Sequence, residues 1–255
     1  MPKPRNARSH PRRNGTSGRS IAIWALALAL IGAAAYGGMA LAADPRLALD
    51  DVSVEGAHRV AVADIIAAAA LPHGRNVWLL DTASASRAVE RLPWIASTKI
   101  SRAWPNMVTI VVSERVPIAR VALGRSDFEL VDIDGRALGP ASDASDQALP
   151  ALTVAPLPPD AGTAGAQLGT TVVGQSLDAI RQLTALGVHM TEIRDEPVMG
   201  LRAFTQAGLW VVFGDLDDLN HKVALYEAIS KRISQPSAVE YIDVRSTAAP
   251  TVQYR

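Results

Sequence analysis

The sequence predicts an α+β protein held at a membrane by a single N-terminal transmembrane helix. Three observations predict it. Residues 21–43 form a run of 23 positions without a charged side chain. After that run, segments with apolar residues at helical spacing are interleaved with segments that alternate as strands do. The composition is that of a folded chain, with 49% of its 255 residues hydrophobic and 20% charged, which excludes wholesale disorder.

The charge balances only as a total. There are 25 basic and 25 acidic residues. Six of the basic ones, Lys3, Arg5, Arg8, Arg12, Arg13 and Arg19, fall within residues 1–20, where there is no acid. The rest of the chain therefore holds 19 basic against 25 acidic residues, a net of −6. A nucleic-acid binder calls for a basic excess, which is missing here. As a helix, 21–43 reaches about 34 Å, enough to cross a hydrocarbon core of about 30 Å. A buried core helix shares this composition but has no reason to follow a bare basic flank. A cleaved signal peptide is the closer rival, since Ala40 and Ala42 form a small-x-small pair; its apolar region, however, usually runs about 7–15 residues. A retained anchor fits better, with 1–20 as a cytoplasmic tail, because the positive flank stays inside. On either reading the bulk of the chain is exported. The tail sets topology, and near anionic headgroups each charge adds roughly 1 kcal/mol. Within the run, Ala25, Ala29, Ala33 and Gly37 make a ridge of small residues that another helix can approach closely; in a chain so rich in alanine the spacing also arises by chance.

The first exported block opens with a short strand over 49–56 that ends at Gly56. Val60–Leu71 reads as a helix with Val62, Ile65, Ile66 and Ala69 on one face, broken by Pro72, Gly74 and Asn76. Val77–Leu80 is a short apolar stretch. Asp81 and Thr82 start a second helix, with Ser84 as another cap candidate; it carries Ala88, Val89 and Leu92 and stops at Pro93. Strands follow over Trp94–Trp104 and Met107–Glu114, joined by a turn at Pro105 and Asn106. In the second, Val108, Ile110 and Val112 share a face. The order β-α-α-β-β places two helices on one face of a three-stranded sheet.

In the second block a strand from Phe128 runs into a turn at Asp134-Gly135. Asp132-x-Asp134-Gly135 has the start of a calcium loop but lacks its further oxygen ligands. Residues 155–169, rich in Pro, Gly and Ala, read as a mobile surface loop. Ser176–His189 is a helix with Leu177, Ile180, Leu183 and Leu186 on its apolar side. Val198–Phe204 and Leu209–Phe213 pair as strands around Gly208. Asp215 caps an amphipathic helix whose stripe is Leu216, Leu219, Val223, Tyr226, Ile229 and Ile233. Asp217 and Asp218 in its first turn and Lys231 and Arg232 in its last match the helix dipole. Val239–Arg245 is the final strand.

Chemistry has no visible seat. Zero cysteine excludes disulfides, thiolate zinc sites and a cysteine nucleophile. His10, His58, His73, His189 and His221 have no ligand spacing with one another, and the phosphate-cradling, metalloprotease and serine-hydrolase motifs are missing. No catalytic residue, metal or cofactor is expected. Asp243 and Arg245, two apart on a strand, point to one side. They form either an ion pair worth about 0–1 kcal/mol or a partner contact. Glu114 and Arg115 face opposite sides and read mainly as structural.

Val52-Ser-Val-Glu-Gly56, Leu92-Pro93-Trp94-Ile95, Arg102-Ala-Trp104-Pro105 and Glu114-Arg115-Val-Pro117-Ile-Ala119 together resemble the POTRA domain of the FtsQ/DivIB cell-division family. Leu149-Pro-Ala-Leu152 and Tyr241-Ile-Asp243-Val244-Arg245 resemble that family's β-domain. The resemblance implies a basic tail (1–20), a transmembrane helix (21–43), a POTRA domain (44–118) and a mainly antiparallel β-domain with two helices (119–255). It implies that Gly56, Pro93, Trp94, Arg102, Trp104, Pro105, Glu114, Arg115 and Pro117 are the POTRA motif. It also implies the function: a non-enzymatic, single-pass scaffold of the bacterial divisome in the cell inner membrane at the septum, with its bulk periplasmic. Such a scaffold takes no cofactor and no small-molecule substrate. Its partners would be FtsB and FtsL homologues and other divisome membrane proteins, with FtsB adding a strand at the sheet edge. By position the matching segment of the C-terminal edge strand is Tyr241–Ala249, and the partner-binding residues are Tyr241, Asp243, Val244, Arg245, Ser246, Thr247, Ala248 and Ala249. Parts of the POTRA pattern also recur in envelope export and assembly factors. That is the alternative reading, and it expects further POTRA repeats or a β-barrel.

Overall fold

A computed structural model of the chain describes residues 18–124, 126–154, 156–157, 159–168 and 171–255. The basic residues from Lys3 to Arg13 lie outside them. The chain divides into two compact units.

The first unit holds residues up to Asp51 together with Pro72–Leu80 and Arg102–Val108. Its helix α1 (Gly18–Ala42) runs unbroken for 25 residues. Ala22–Ala42 is long and apolar enough to cross a membrane, and no part of that stretch is buried in the protein. Ala25, Ala29 and Ala33 are exposed and Gly37 half-exposed, with nothing within 4 Å of where a Gly37 Cβ would sit. A 3₁₀ turn over Pro45–Leu47 follows, where the Asp44 carboxylate accepts the Arg46 N–H. Leu49 and Asp50 then bond to the two other segments of the unit, Leu49 N–H to Arg75 O and Asp50 N–H to Asn106 O.

The second unit holds the rest. The elements of the first block are β1 (Asp51–Glu55), α2 (Val62–Ala69), α3 (Thr82–Val89), β2 (Ile95–Ala103) and β3 (Met107–Glu114), which lie in this unit apart from Asp51 and residues 102–103 and 107–108. The three strands form a sheet in the order β1-β3-β2. The α2 and α3 helices pack together, with Ile65, Ala69, Ala85 and Val89 buried. The predicted alternation holds on β3, where Val108, Ile110 and Val112 are all buried. The α2 helix is shorter than its apolar pattern. Ala70 turns left-handed at φ 47°, and Pro72 disfavours helical geometry at Leu71, the residue before it. The α3 helix starts at Asp81, whose carboxylate accepts the Ser84 N–H.

The remainder is β4 (Pro117–Ala122), β5 (Phe128–Asp132), β6 (Ala137–Pro140), the short α4 (Ala144–Gln147), β7 (Ala151–Thr153), α5 (Thr171–Ala185), β8 (Met190–Glu196), β9 (Gly200–Thr205), β10 (Trp210–Gly214), α6 (Leu219–Ser230), β11 (Val239–Asp243) and β12 (Thr251–Tyr254). One nine-stranded sheet runs β12-β11-β10-β9-β8-β7-β4-β5-β6. It is mainly antiparallel; β7 lies parallel to β4 and β8, and β11 parallel to β10. The α5 helix packs on β4 and β8, and α6 on β10. The core between them includes Leu152, Leu177, Leu183, Ile193, Val211, Phe213 and Ile242.

Four readings change here. Residues 190–196 form a strand that the sequence does not announce, because only Met190 and Ile193 of its seven residues are apolar and buried, and a bulge between Met190 and Glu192 breaks their alternation. The α5 helix spans 171–185 rather than 176–189 and ends before Gly187, which takes φ 80°. Asp215 does not cap α6, which begins at Leu219; its carboxylate instead accepts from Nζ of the buried Lys222 at 2.5 Å. The 155–169 segment is not all surface: Leu168 is fully buried, and the Gly162 N–H donates to buried Glu129 at 2.6 Å.

Candidate partner-binding site

Because β10 and β11 are parallel, the chain must cross over between them, and α6 makes that crossing. The register sets Trp210 opposite Tyr241, Val211 opposite Ile242 and Val212 opposite Asp243. Val239, Ile242 and Val244 are buried, while Tyr241 and Asp243 are half-buried. The Val244 N–H extends the pairing by donating to Val212 O at 3.0 Å. The chain then turns. The Arg245 N–H donates to Asp243 Oδ1 at 3.0 Å, and its guanidinium grips both carboxylate oxygens, closest at 2.7 Å. Burial pushes the Asp243 carboxyl up, but the bonds from Arg245 outweigh this and hold it below its ordinary value. Gly214 makes room for this turn. Its φ is 75°, and a Cβ there would sit 2.8 Å from Arg245 Cγ.

Ser246, Ala248 and Ala249 are exposed and Thr247 half-buried. The chain then returns as β12, antiparallel to β11, with Thr251 opposite Asp243, Val252 opposite Ile242, Gln253 opposite Tyr241 and Tyr254 opposite Val239. Tyr241 and Asp243 therefore lie on an inner strand, which corrects the expectation that Tyr241–Ala249 is the edge. The physical reason is that Pro250, which has no N–H to give, stands just before the first paired residue and so costs the new ladder nothing.

The outer side of β12 is open, since no described strand pairs with it. The Arg255 N–H points inward, to Ala238 O. Bond direction alternates along an antiparallel strand, so the N–H and C=O of Val252 and Tyr254 point outward, the Tyr254 C=O accepting from the Gln253 side-chain amide at 3.2 Å. Thr251, Gln253 and Tyr254 are exposed. The other end of the sheet is closed. Along β6 and the turn before it, Ala137 N–H donates to Ala166 O, Gly165 N–H to Ala137 O and Leu168 N–H to Gly135 O. Residues 165–168 thus occupy the edge that β6 would otherwise present.

The motif residues of the first block mostly hold structure. Gly56 has φ 83°, and a Cβ there would fall 2.2 Å from Val112 O. The Glu114 carboxylate accepts the backbone N–H groups of His58, Arg59 and Val60 at 2.9 Å each. Burial opposes its charge, yet those three donors keep it below its ordinary value. Arg115 reaches the opposite way, to Asp132 at 2.5 Å and Asp134 at 3.2 Å. The Arg59 guanidinium lies 4.8 Å from the centre of the Trp94 ring and 2.7 Å from the Asp146 carboxylate. Pro93 is half-buried, and Pro117 opens β4 opposite Asp132. Arg102 donates to Val77 O and Leu80 O at 3.0 and 2.7 Å. Trp104 is 78% exposed and joined to Pro105 by a cis peptide. Among the described residues no group of three His, Asp or Glu is placed to hold a metal ion.

Residues 47–115 match the model of the FtsQ-type POTRA domain, and residues 119–245 that of the C-terminal part of cell division protein FtsQ/DivIB. The two span more than three quarters of the chain. The chain belongs to the FtsQ/DivIB family. Similar proteins of this family include a cell division protein FtsQ of Myxococcus fulvus, 34% identical over 104 residues, which are 39% of this chain and 36% of that protein. The FtsQ of Mycobacteroides abscessus is 27% identical over 210 residues, 82% of this chain and 62% of the relative. That of Anaeromyxobacter sp. is 26% identical over 231 residues, 88% of this chain and 77% of the relative. Over the Myxococcus relative the match thus spans little more than a third of its length. The FtsQ/DivIB match ends at Arg245, so β12 lies just beyond it. The one sequence signal for β12 is Thr251-Val-Gln-Tyr254, β-branched and aromatic residues after a proline.

Proposed function

We propose that this chain is a non-enzymatic scaffold of the bacterial divisome, anchored by α1 with its N-terminus in the cytoplasm and its body exported at the septum. It captures the FtsB–FtsL pair by accepting a strand of FtsB along β12. The observation that carries this reading is the asymmetry of the nine-stranded sheet: one edge is occupied by residues 165–168 and the other is open. An open edge offers a row of unpaired N–H and C=O groups, which an extended partner segment can complete. Arg245, clamped to Asp243, and the exposed Ser246, Ala248 and Ala249 flank that edge and form the rim of the site, with Thr247 half-buried among them. Family membership favours this over an envelope export factor. Val244 and Tyr241 act indirectly, by fixing β11 beneath β12.

Replacing Val252 tests the edge. Val252→Pro removes an outward N–H and leaves the inward ladder to β11, whereas Val252→Ala keeps both. In a pull-down of the FtsB–FtsL pair by the full-length chain, the proline variant should lose about tenfold or more in affinity, the scale of one or two strand hydrogen bonds. The alanine variant should bind nearly as the native protein does. Equal binding by all three, with unchanged circular dichroism, sinks strand addition at β12.

A further inference from the structure

The first unit joins the C-terminal end of α1 to two tips of the POTRA domain, residues 72–80 and 102–108. Asn76 makes the join. Its side chain is almost fully buried, and its amide donates to Leu41 O and Ala42 O at 3.0 and 3.3 Å. These are among the carbonyls that the last turn of a helix leaves without an intrahelical partner; Leu41 O also accepts the Asp44 N–H at 3.3 Å. The same side chain accepts the Trp78 N–H at 2.9 Å and starts the 3₁₀ turn Val77–Leu79. Arg102 then holds that turn from the other tip through Val77 O and Leu80 O. Both tips are thereby tied to the end of the helix that spans the membrane.

What they present is apolar. Trp78 is 50% exposed, Leu79 55% and Trp104 78%. Outside α1, these are the exposed large hydrophobic side chains of this unit among its described residues. The backbones beneath them are held in place while the rings point outward. Trp78 lies only two residues, and so within about 7 Å along the chain, from Asn76, which makes the link. Tryptophan beside the end of a membrane helix sits at headgroup level, with its ring in the apolar boundary and its N–H toward water. Exposed Arg46 and Arg75 lie on the same unit and can meet lipid phosphates. Asp44 and Asp50 offset them, so the rings rather than net charge carry the recognition.

We propose that Trp78, Leu79 and Trp104 insert into the interfacial layer of the bilayer that α1 spans, and so hold residues 72–80 and 102–108 at the membrane surface. The occupant of this apolar patch is lipid. The inference rests on α1 being membrane-spanning, and the test separates the two.

The chain has five tryptophans, so full-length single-tryptophan variants can be made with phenylalanine at the other four positions. Each is placed in phosphatidylcholine nanodiscs with and without bromine on the acyl chains near the headgroup. The variant retaining only Trp24 reports on α1 and should be quenched. Those retaining only Trp78 or only Trp104 should lose roughly half their emission, as rings at headgroup level would, while Trp94 alone should be unaffected. Quenching of Trp24 without quenching of Trp78 and Trp104 overturns the seating and leaves the anchor standing. Absence of quenching at Trp24 overturns the anchor itself. Trp104→Phe in the otherwise native chain guards against misfolding of the multiple variants. It removes one exposed ring and should cut the bromine-dependent loss; an unchanged loss counts against the proposal.

Discussion

At the scale of single residues, two positions show how the motif acts. Gly56 is required twice over, by a φ of 83° and by the approach of its Cα to the Val112 carbonyl. An alanine there meets a left-handed backbone cost of about 1–2 kcal/mol before any clash. Gly56→Ala should therefore lower stability by about 2 kcal/mol or more, read as a shift of the urea midpoint at constant slope. Asp146 shows a charge doing structural work. It is 1% exposed, and Arg59, chiefly through a direct hydrogen bond, holds its carboxyl below the ordinary value of 3.8. A carboxyl with a depressed folded pKa stabilises the fold above its unfolded pKa, and that contribution disappears as pH falls through the folded value. Asp146→Asn should cost about 1–3 kcal/mol at neutral pH. The gap between native and variant should narrow below pH 3.8. A gap that stays constant down to pH 2 would count against the pair. Glu114 and Arg115 resolve as their adjacency on a strand implied: they face opposite ways and each fastens a different loop.

At the scale of elements, amphipathic pattern located segments better than it located their ends. The Met107–Glu114 strand is where the alternation puts it. The α6 helix starts three residues later than its stripe, because the acidic run Asp215-Leu-Asp217-Asp218 turns instead of coiling and Asp218 adopts φ 51°. The Leu216 and Ile233 side chains still reach the core from outside the helix. β12 decides the candidate site, yet it is only four residues long, and its residues are exposed apart from half-buried Val252. So little of it is buried that the Val252→Pro change proposed above should alter overall stability by less than about 1 kcal/mol while weakening partner binding. That separation of binding from stability is what marks a strand kept for pairing rather than for the core.

At the scale of the whole molecule, the charge split gives an orientation that is directly measurable. The chain contains no cysteine, and Ser246 is exposed beside the open edge. Ser246→Cys is therefore a unique label site. With the basic flank inside, it should react with a membrane-impermeant maleimide in intact spheroplasts. Protection until the membrane is broken would reverse the proposed orientation.

The amino-acid sequence by itself determined the long apolar N-terminal helix, the two-block α+β order and the family. These rest on local quantities: a run without charge, apolar periodicity, and residues such as Pro93-Trp94 and Trp104-Pro105 that keep their identity in a linear string. Only the tertiary structure decided which strand forms the edge, that residues 165–168 bond along the start of β6 at the opposite edge, and that the segments carrying Trp78, Leu79 and Trp104 are tied by Asn76 and Arg102 to the end of α1. Edges are defined by which neighbour is missing, and that is a property of the assembled sheet. Four residues after a proline have no periodicity long enough to declare a strand, but laid along β11 they displace it from the edge and take its place.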